Sequence, residues 1–297
     1  MKSAAKGTRS VKTIERIVAP PPVHWVGDGF RVHGFLPRGP LSAERMSPFF
    51  LLDYNSKHEF APSTNLLGVG PHPHRGFETV TIAYHGKVAH HDSMGNGGVI
   101  GEGDVQWMTA GGGILHKEYH EEKFNREGGL FQMVQLWVNL PAKDKMTDPR
   151  YQAITNAEMG RHELPGGGVI EVIAGDIGSI GGPASTFSPV HLYNVKAKKG
   201  EEVTLRFPNS YNTAILGIDG RATLNGTTLP TDHLAAFEND GDEIEIKADE
   251  DTVLLVLSGE PLNEPIAQYG PFLMNTNAEL AEAIDDYRQG KFGYLAD

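Results

Sequence analysis

Pro71-His72-Pro73-His74-Arg75-Gly76-Phe77-Glu78, followed after a glycine-rich stretch by His116-Lys117-Glu118, decides how this chain is read. In a β-strand alternate side chains share a face, so His72 and His74 point the same way, and so do His116 and Glu118. Two such pairs on neighbouring strands close on one metal ion. Three imidazoles and a carboxylate, with no cysteine in the chain, suit Fe(II), Mn(II), Zn(II), Ni(II) or Cu(II) rather than the all-oxygen cages of calcium or magnesium. The donor set does not choose among the five. A ligating imidazole needs a hydrogen-bond partner for its second nitrogen, and Glu78 and Gln135 are the polar residues expected nearby.

The surroundings read as sheet. Val80, Ile82 and Tyr84 alternate in phase with the histidines and are expected to face inward. Turns follow at His85-Gly86-Lys87 and Gly101-Glu102-Gly103-Asp104, then a strand from Val105 to Met108, then Gly111-Gly112-Gly113 before Ile114-Leu115-His116. Short strands punctuated in this way point to an antiparallel sandwich or barrel rather than alternating βα units.

Composition bounds the rest. A chain of 297 residues accommodates two domains, each burying its own core. Without cysteine there are no disulfides, thiolate ligands or cysteine nucleophiles. A net charge of −12 argues against a general nucleic-acid-binding surface, which needs clustered Lys and Arg. The start, Met1 to Lys12, is basic but lacks the apolar core of a signal peptide, and no stretch approaches the roughly 20 apolar residues of a membrane helix. A cytoplasmic protein with a frayed N-terminus is expected.

The halves echo one another. Ile82 to Val88 matches Leu216 to Ala222, each a strand entering a glycine turn, and Gly103-Asp104-Val105 matches Gly241-Asp242-Glu243. Asn225-Gly226 is a hairpin turn. Pro141 to Gly168 has the composition of a connecting segment, so we place an N-terminal domain with the metal site at 1–148 and a C-terminal domain at 149–297. The second half offers only His162, His191 and His233, none in an H-x-H pair, and Glu243 to Ile246 where His116 and Glu118 would be echoed, so no second metal site is expected. At the end, Thr276 and Glu279 form a capping box, Leu280, Ile284 and Tyr287 recur at helical spacing, and Gly290 closes the helix. Packing of that helix against its own half is favoured, with docking on the first half as the alternative.

Five blocks carry a family resemblance: Pro71 to Thr81, Gly103 to Gly111, Gly113 to His116, Gln135 to Leu140 and Gly259 to Pro265. Together they resemble the pirin family of the cupin superfamily, over a span from about Phe30 to about Gly293. The resemblance implies an all-β fold of two antiparallel cupin (jelly-roll) β-barrels face to face, with a short C-terminal helix. It implies one non-haem iron in the N-terminal barrel, ligated by His72, His74, His116 and Glu118, and, weakly, a monomer.

Two roles are linked to the family. One is a dioxygenase that opens the central ring of flavonols such as quercetin; the other is a metal-dependent, redox-sensing regulator that binds a transcription factor or a metabolic enzyme. For the first, Glu118 is the catalytic base. Gln135 and Met108 would line the cavity and Trp107 or Phe77 stack on the substrate, the alternative for all four being barrel packing. His85, His90 and His91 are expected on the surface, and Asp53 either bonds near the site or ends its strand. The sequence departs from the usual pattern at His91 and in Glu118-Tyr119-His120-Glu121-Glu122, which bears on the shape and charge of the pocket mouth.

Overall fold

A computed structural model of the chain describes residues 10–296. Most of the basic start, at 1–9, lies outside the described residues. Lys12, read as part of that frayed start, is buried: its N–H donates to the Glu243 carbonyl at 2.8 Å and its ammonium to the carbonyls of Asn209 and Glu238. Among the described residues no helix is long and apolar enough to cross a membrane.

The N-terminal cupin is built on a seven-stranded antiparallel sheet in the order Arg150–Ile154, Val105–Thr109, Phe77–His85, Gly129–Asn139, Phe49–Phe60, Phe30–Leu36 and Val23–Val26. Its second sheet runs Gly68–His74, Ile114–His120, Val88–Asp92, Gly97–Ile100. Phe77 to Ala83 is buried without interruption, as expected of a central strand covered on both faces. Phe30, Val32, Phe60, Ala83, Phe131 and Met133 of the large sheet meet Val88 and Ile100 of the small one in an apolar core.

The C-terminal cupin repeats this order strand for strand. Its large sheet runs Ile14–Val18, Leu234–Phe237, Asn212–Asp219, Thr252–Gly259, Val190–Ala197, Val169–Ala174, Gly160–Glu163, and its small sheet Glu202–Arg206, Glu243–Ala248, Ala222–Leu224, Thr227–Leu229. Asn225 and Gly226, with φ of 48° and 78°, make the expected hairpin. The echo of Ile82 to Val88 in Leu216 to Ala222 joins equivalent strands. That of Gly103-Asp104 in Gly241-Asp242 does not: Val105–Thr109 corresponds to Leu234–Phe237, since each is second in its sheet and pairs with the third strand.

The edges show where a single cut fails. The outer strand of the N-terminal sheet, Arg150–Ile154, comes from the segment read as a linker and from beyond residue 148. The outer strand of the C-terminal sheet, Ile14–Val18, comes from the beginning of the chain. Contacts group Pro20–Met159, Gly182–Pro189 and Leu262 onward into one unit, and the segment through Ala19, Gly160–Gly181 and Val190–Pro261 into the other. The division at 148/149 is therefore corrected: each unit takes in chain from both sides of it.

The C-terminal helix, Asn277–Arg288, belongs to the N-terminal unit, which overturns the favoured expectation and bears out its alternative. Leu280 and Ala283 pack with Phe272, Met274, Phe292 and the partly buried Leu115 and Ile284, while Tyr287 is exposed. Thr276 Oγ1 accepts from the Glu279 N–H at 3.2 Å, and the Glu279 carboxylate accepts from the Thr276 N–H at 2.8 Å. Thr276→Ala is expected to cost about 1 kcal/mol, read as a lower urea midpoint at unchanged m-value. An unchanged midpoint would show that the cap contributes nothing.

Candidate metal centre

His72 and His74 lie on Gly68–His74, His116 on Ile114–His120, and the strands pair antiparallel with His116 opposite His72. The three rings gather with centroids 4.8 Å (His72 to His74), 4.3 Å (His72 to His116) and 4.6 Å (His74 to His116) apart. One nitrogen of each lies within 4.8 Å of the others, a spacing that one ion can span. His72 Nδ1 stands 2.8 Å from the Gly70 carbonyl and His74 Nδ1 3.5 Å from that of Pro271. A proton on each Nδ1 leaves Nε2 as the free lone pair.

His116 supplies the test of fit. It is fully buried, yet neither ring nitrogen has a hydrogen-bond partner among the described residues. Burial, and then the neighbouring imidazoles, hold His74 and His116 well below the ordinary histidine range. Neutral, buried imidazoles gathered at one point, one of them with both nitrogens unpartnered, are what a divalent ion requires and what an empty polar core avoids.

Glu118 stands beside the triad rather than within it. The register with the strand carrying His72 slips between His116 and Glu118, while the pairing of Ile114–His120 with Val88–Asp92 stays regular, so Glu118 keeps the face of His116 and lines the same cavity as His72 and His74. Thr81 Oγ1 donates to one oxygen at 3.2 Å and Gln135 Nε2 to the other at 2.8 Å. Burial pushes the carboxyl above its usual range, opposed by His72 and these two bonds.

Gln135 thus sits at the site as expected, but on Glu118 rather than on a histidine. Glu78 does not. The turn at Arg75-Gly76, with Gly76 at φ 90°, resets the strand phase, so Thr81, and with it Thr79, faces the site while Glu78 and Val80 face away. Val80 and Ile82 are buried as expected but on that other face; Tyr84 is only partly buried. Glu78 accepts instead from Thr109 Oγ1 at 2.7 Å, and burial lifts its carboxyl to about 7.

A cavity of ≈ 730 Å³ adjoins the triad, with His72, His74, Glu118, Gln135, Trp137 and Met133 in its wall. Trp107, Met108 and Phe77 are fully buried and do not line it. Trp107 alternates with Gln106 and Met108 and so points through the opposite face of the sheet. Met108 has the right face but packs with Ala110, Ile114 and Tyr151. Phe77 acts one layer back: it stacks on Trp137 at 4.1 Å and meets the His74 ring at 4.9 Å. Sequence reasoning missed Trp137, whose ring lies 5.3 Å from His74. Its position two residues beyond Gln135 on one strand was the available signal.

The remaining histidines divide. His90, expected at the surface, is buried and stacks on Tyr151 at 4.9 Å. His91 is exposed and bonds Tyr119; with Glu121 and Glu122 it lines a separate surface groove, so this departure does not shape the mouth of the cavity. His85 is partly buried beside Glu102, and His120 is core, bonded to the Gly29 carbonyl among Phe30, Phe60 and Phe131.

In the C-terminal cupin the equivalent strands carry Val203, Leu205, Ile244 and Ile246 into one apolar core. Among the described residues the His72, His74 and His116 group is the one cluster placed to hold a metal ion. Two cupin folds, one with a histidine triad and one filled, define a bicupin with one candidate metal centre. The chain belongs to the pirin family: the Pirin model matches residues 29–138 and the Pirin C-terminal cupin domain model residues 192–293.

Among its relatives, PA2418 of Pseudomonas aeruginosa, provisionally named a quercetin 2,3-dioxygenase, is 48% identical over 91% of this chain and 94% of its own. A quercetin 2,3-dioxygenase from Acinetobacter baumannii, solved by crystallography, superposes with a TM-score of 0.91 at 47% identity, over 97% of this chain and 100% of that one. The Escherichia coli pirin YhhW, solved in complex with nickel(II), shares the fold at TM-score 0.65 and 22% identity, over 83% of this chain and 99% of that one.

Proposed function

We propose that this protein is a dioxygenase that opens the central ring of a flavonol such as quercetin with O₂, using one Fe(II) held by His72, His74, His116 and Glu118. The observation that carries the reading is the cavity of ≈ 730 Å³ lined by His72 and His74 of the triad, by Glu118 and by the aromatic wall of Trp137 and Phe50. Its volume falls within the range of small-molecule sites, and names of relatives at 47% and 48% identity favour this substrate class. Bound iron would supply Lewis acidity, acidifying the 3-hydroxyl of the flavonol.

The residues do the remainder. Trp137, stacked on Phe50 and Phe77, offers a fixed flat wall for a fused aromatic ring system. Glu118 takes the 3-hydroxyl proton, and its raised basicity fits that task. Gln135 and Thr81 hold the carboxylate in place beside His72.

Oxygen uptake by anaerobically Fe(II)-loaded protein on adding quercetin tests the reading, with His74→Ala protein and free Fe(II) as controls. Saturable uptake that falls to the free-iron level in the variant is expected. Uptake no greater than the controls would shift the assignment to a metal-dependent regulator of a protein partner.

A further inference from the structure

The wall of the cavity away from the histidines carries a second set of ionisable groups: Asp53, Arg38 and His24. We propose that Asp53, with Arg38 and His24 beside it, is the specificity pole of the cavity and binds free hydroxyls on the flavonol ring remote from the 3-hydroxy-4-ketone. This rests on the flavonol reading above and adds which flavonols are taken.

Asp53 sits on Phe49–Phe60 directly opposite Gln135, and Gln135 is opposite Thr81. Cross-strand partners share a face, so Asp53, Gln135 and Thr81 form one polar row across the sheet. Glu118 caps one end of the row through Thr81 and Gln135. Asp53 occupies the other, two strand spacings or roughly 10 Å from Thr81. A flavonol spans such a gap, with its metal-seeking oxygens at one end and its pendant ring at the other.

The state of the carboxyl points to a ligand. Asp53 is half-buried, and no donor among the described residues hydrogen-bonds it. Burial lifts it to about 7, with only Arg38 opposing. Lining the cavity without a protein donor, the carboxyl keeps its hydrogen-bonding capacity open to a molecule bound there. The neighbouring strand leaves room: a Cβ on Gly34 would come 3.2 Å from Asp53 Oδ1 and 3.1 Å from the His24 ring. A carboxylate accepts from two adjacent hydroxyls at once, which suits a catechol.

The test compares quercetin with galangin, the flavonol that lacks only the two hydroxyls of the pendant ring. Dissociation constants come from quenching of tryptophan fluorescence and kcat/KM from oxygen uptake, for wild type, Asp53→Asn and Asp53→Leu. Wild type is expected to prefer quercetin by about 10- to 100-fold, the effect of one satisfied site for a substrate hydroxyl. The ratio should shrink in Asp53→Asn and collapse toward one in Asp53→Leu, with neither variant melting below wild type. A ratio that survives in Asp53→Leu, or wild type that consumes both flavonols without preference, overturns the assignment while leaving the dioxygenase intact. Wild type that binds and consumes neither flavonol overturns both.

Discussion

His116→Leu protein retains no metal under conditions in which wild type holds one ion per chain, an expected fall in affinity of more than about 100-fold. Loss of an outer partner of a ligand alone costs 10- to 100-fold, and this change removes a ligand itself. The same substitution is expected to leave metal-free protein as stable as wild type or more so. Both nitrogens of the buried His116 ring are unpartnered, and an unsatisfied buried polar group costs about 1–3 kcal/mol, which an apolar side chain of similar size avoids. Metal should reverse the order. At a free concentration of 100 times Kd, binding adds about 2.7 kcal/mol to wild type and nothing to the variant. Elemental analysis with melting curves in chelator and in excess divalent ion reads both arms. A variant that keeps its metal, or wild type indifferent to it, would remove His116 from the centre.

That histidine was legible because its signal is local. Alternation places His72 with His74 on one strand, and a second polar pair at His116 and Glu118 needs only an adjacent strand to complete the cluster, which the register provides. The signal fails wherever something breaks the period of two. The turn at Arg75-Gly76 exchanges the faces of Glu78 and Thr79, so the outer-shell role expected of Glu78 is taken by Thr81. Trp107 failed for a related reason: being aromatic and near the site in sequence says nothing of which face of the strand it occupies.

Long-range placement was the other limit. Hydrophobic spacing identifies the helix at Asn277–Arg288 and its buried stripe, but a stripe does not name what covers it. The same holds for Ile14–Val18 and Arg150–Ile154, edge strands whose pattern is compatible with either sheet. Asp53 was ambiguous because a single carboxylate after an apolar run has no periodicity at all; only the register opposite Gln135 gives it a role.

Arg75→Ala is expected to loosen the C-terminal helix and weaken metal binding together. The Arg75 side chain is buried directly after the second histidine, where Nε donates to the Gly112 carbonyl at 2.7 Å and Nη2 to Asp286 Oδ2 at 2.8 Å. Its guanidinium also lies over the Phe292 ring at 4.9 Å. Removing it leaves Asp286 on the helix with only the more exposed Lys291 as ion partner, so the loss should fall near 3 kcal/mol, about the lower bound for breaking a buried pair. Lys291 and Arg75 hold the Asp286 carboxyl below its ordinary range, so this stabilisation is present above about pH 4 and lost as acid protonates it. Wild type should therefore lose helix protection in acid below that range, and Arg75→Ala should show a smaller acid dependence. The link to the metal runs through the backbone: the Arg75 carbonyl accepts from the Leu273 N–H at 3.0 Å, two residues after the Pro271 carbonyl that faces His74 Nδ1. Freeing that strap removes the partner that orients His74, for which a roughly 10-fold fall in metal affinity is expected. Hydrogen exchange over 277–288 and metal titration of the same variant measure the two effects. Loss of helix protection with unchanged affinity would show that the C-terminal strap stabilises the cupin without tuning its metal centre.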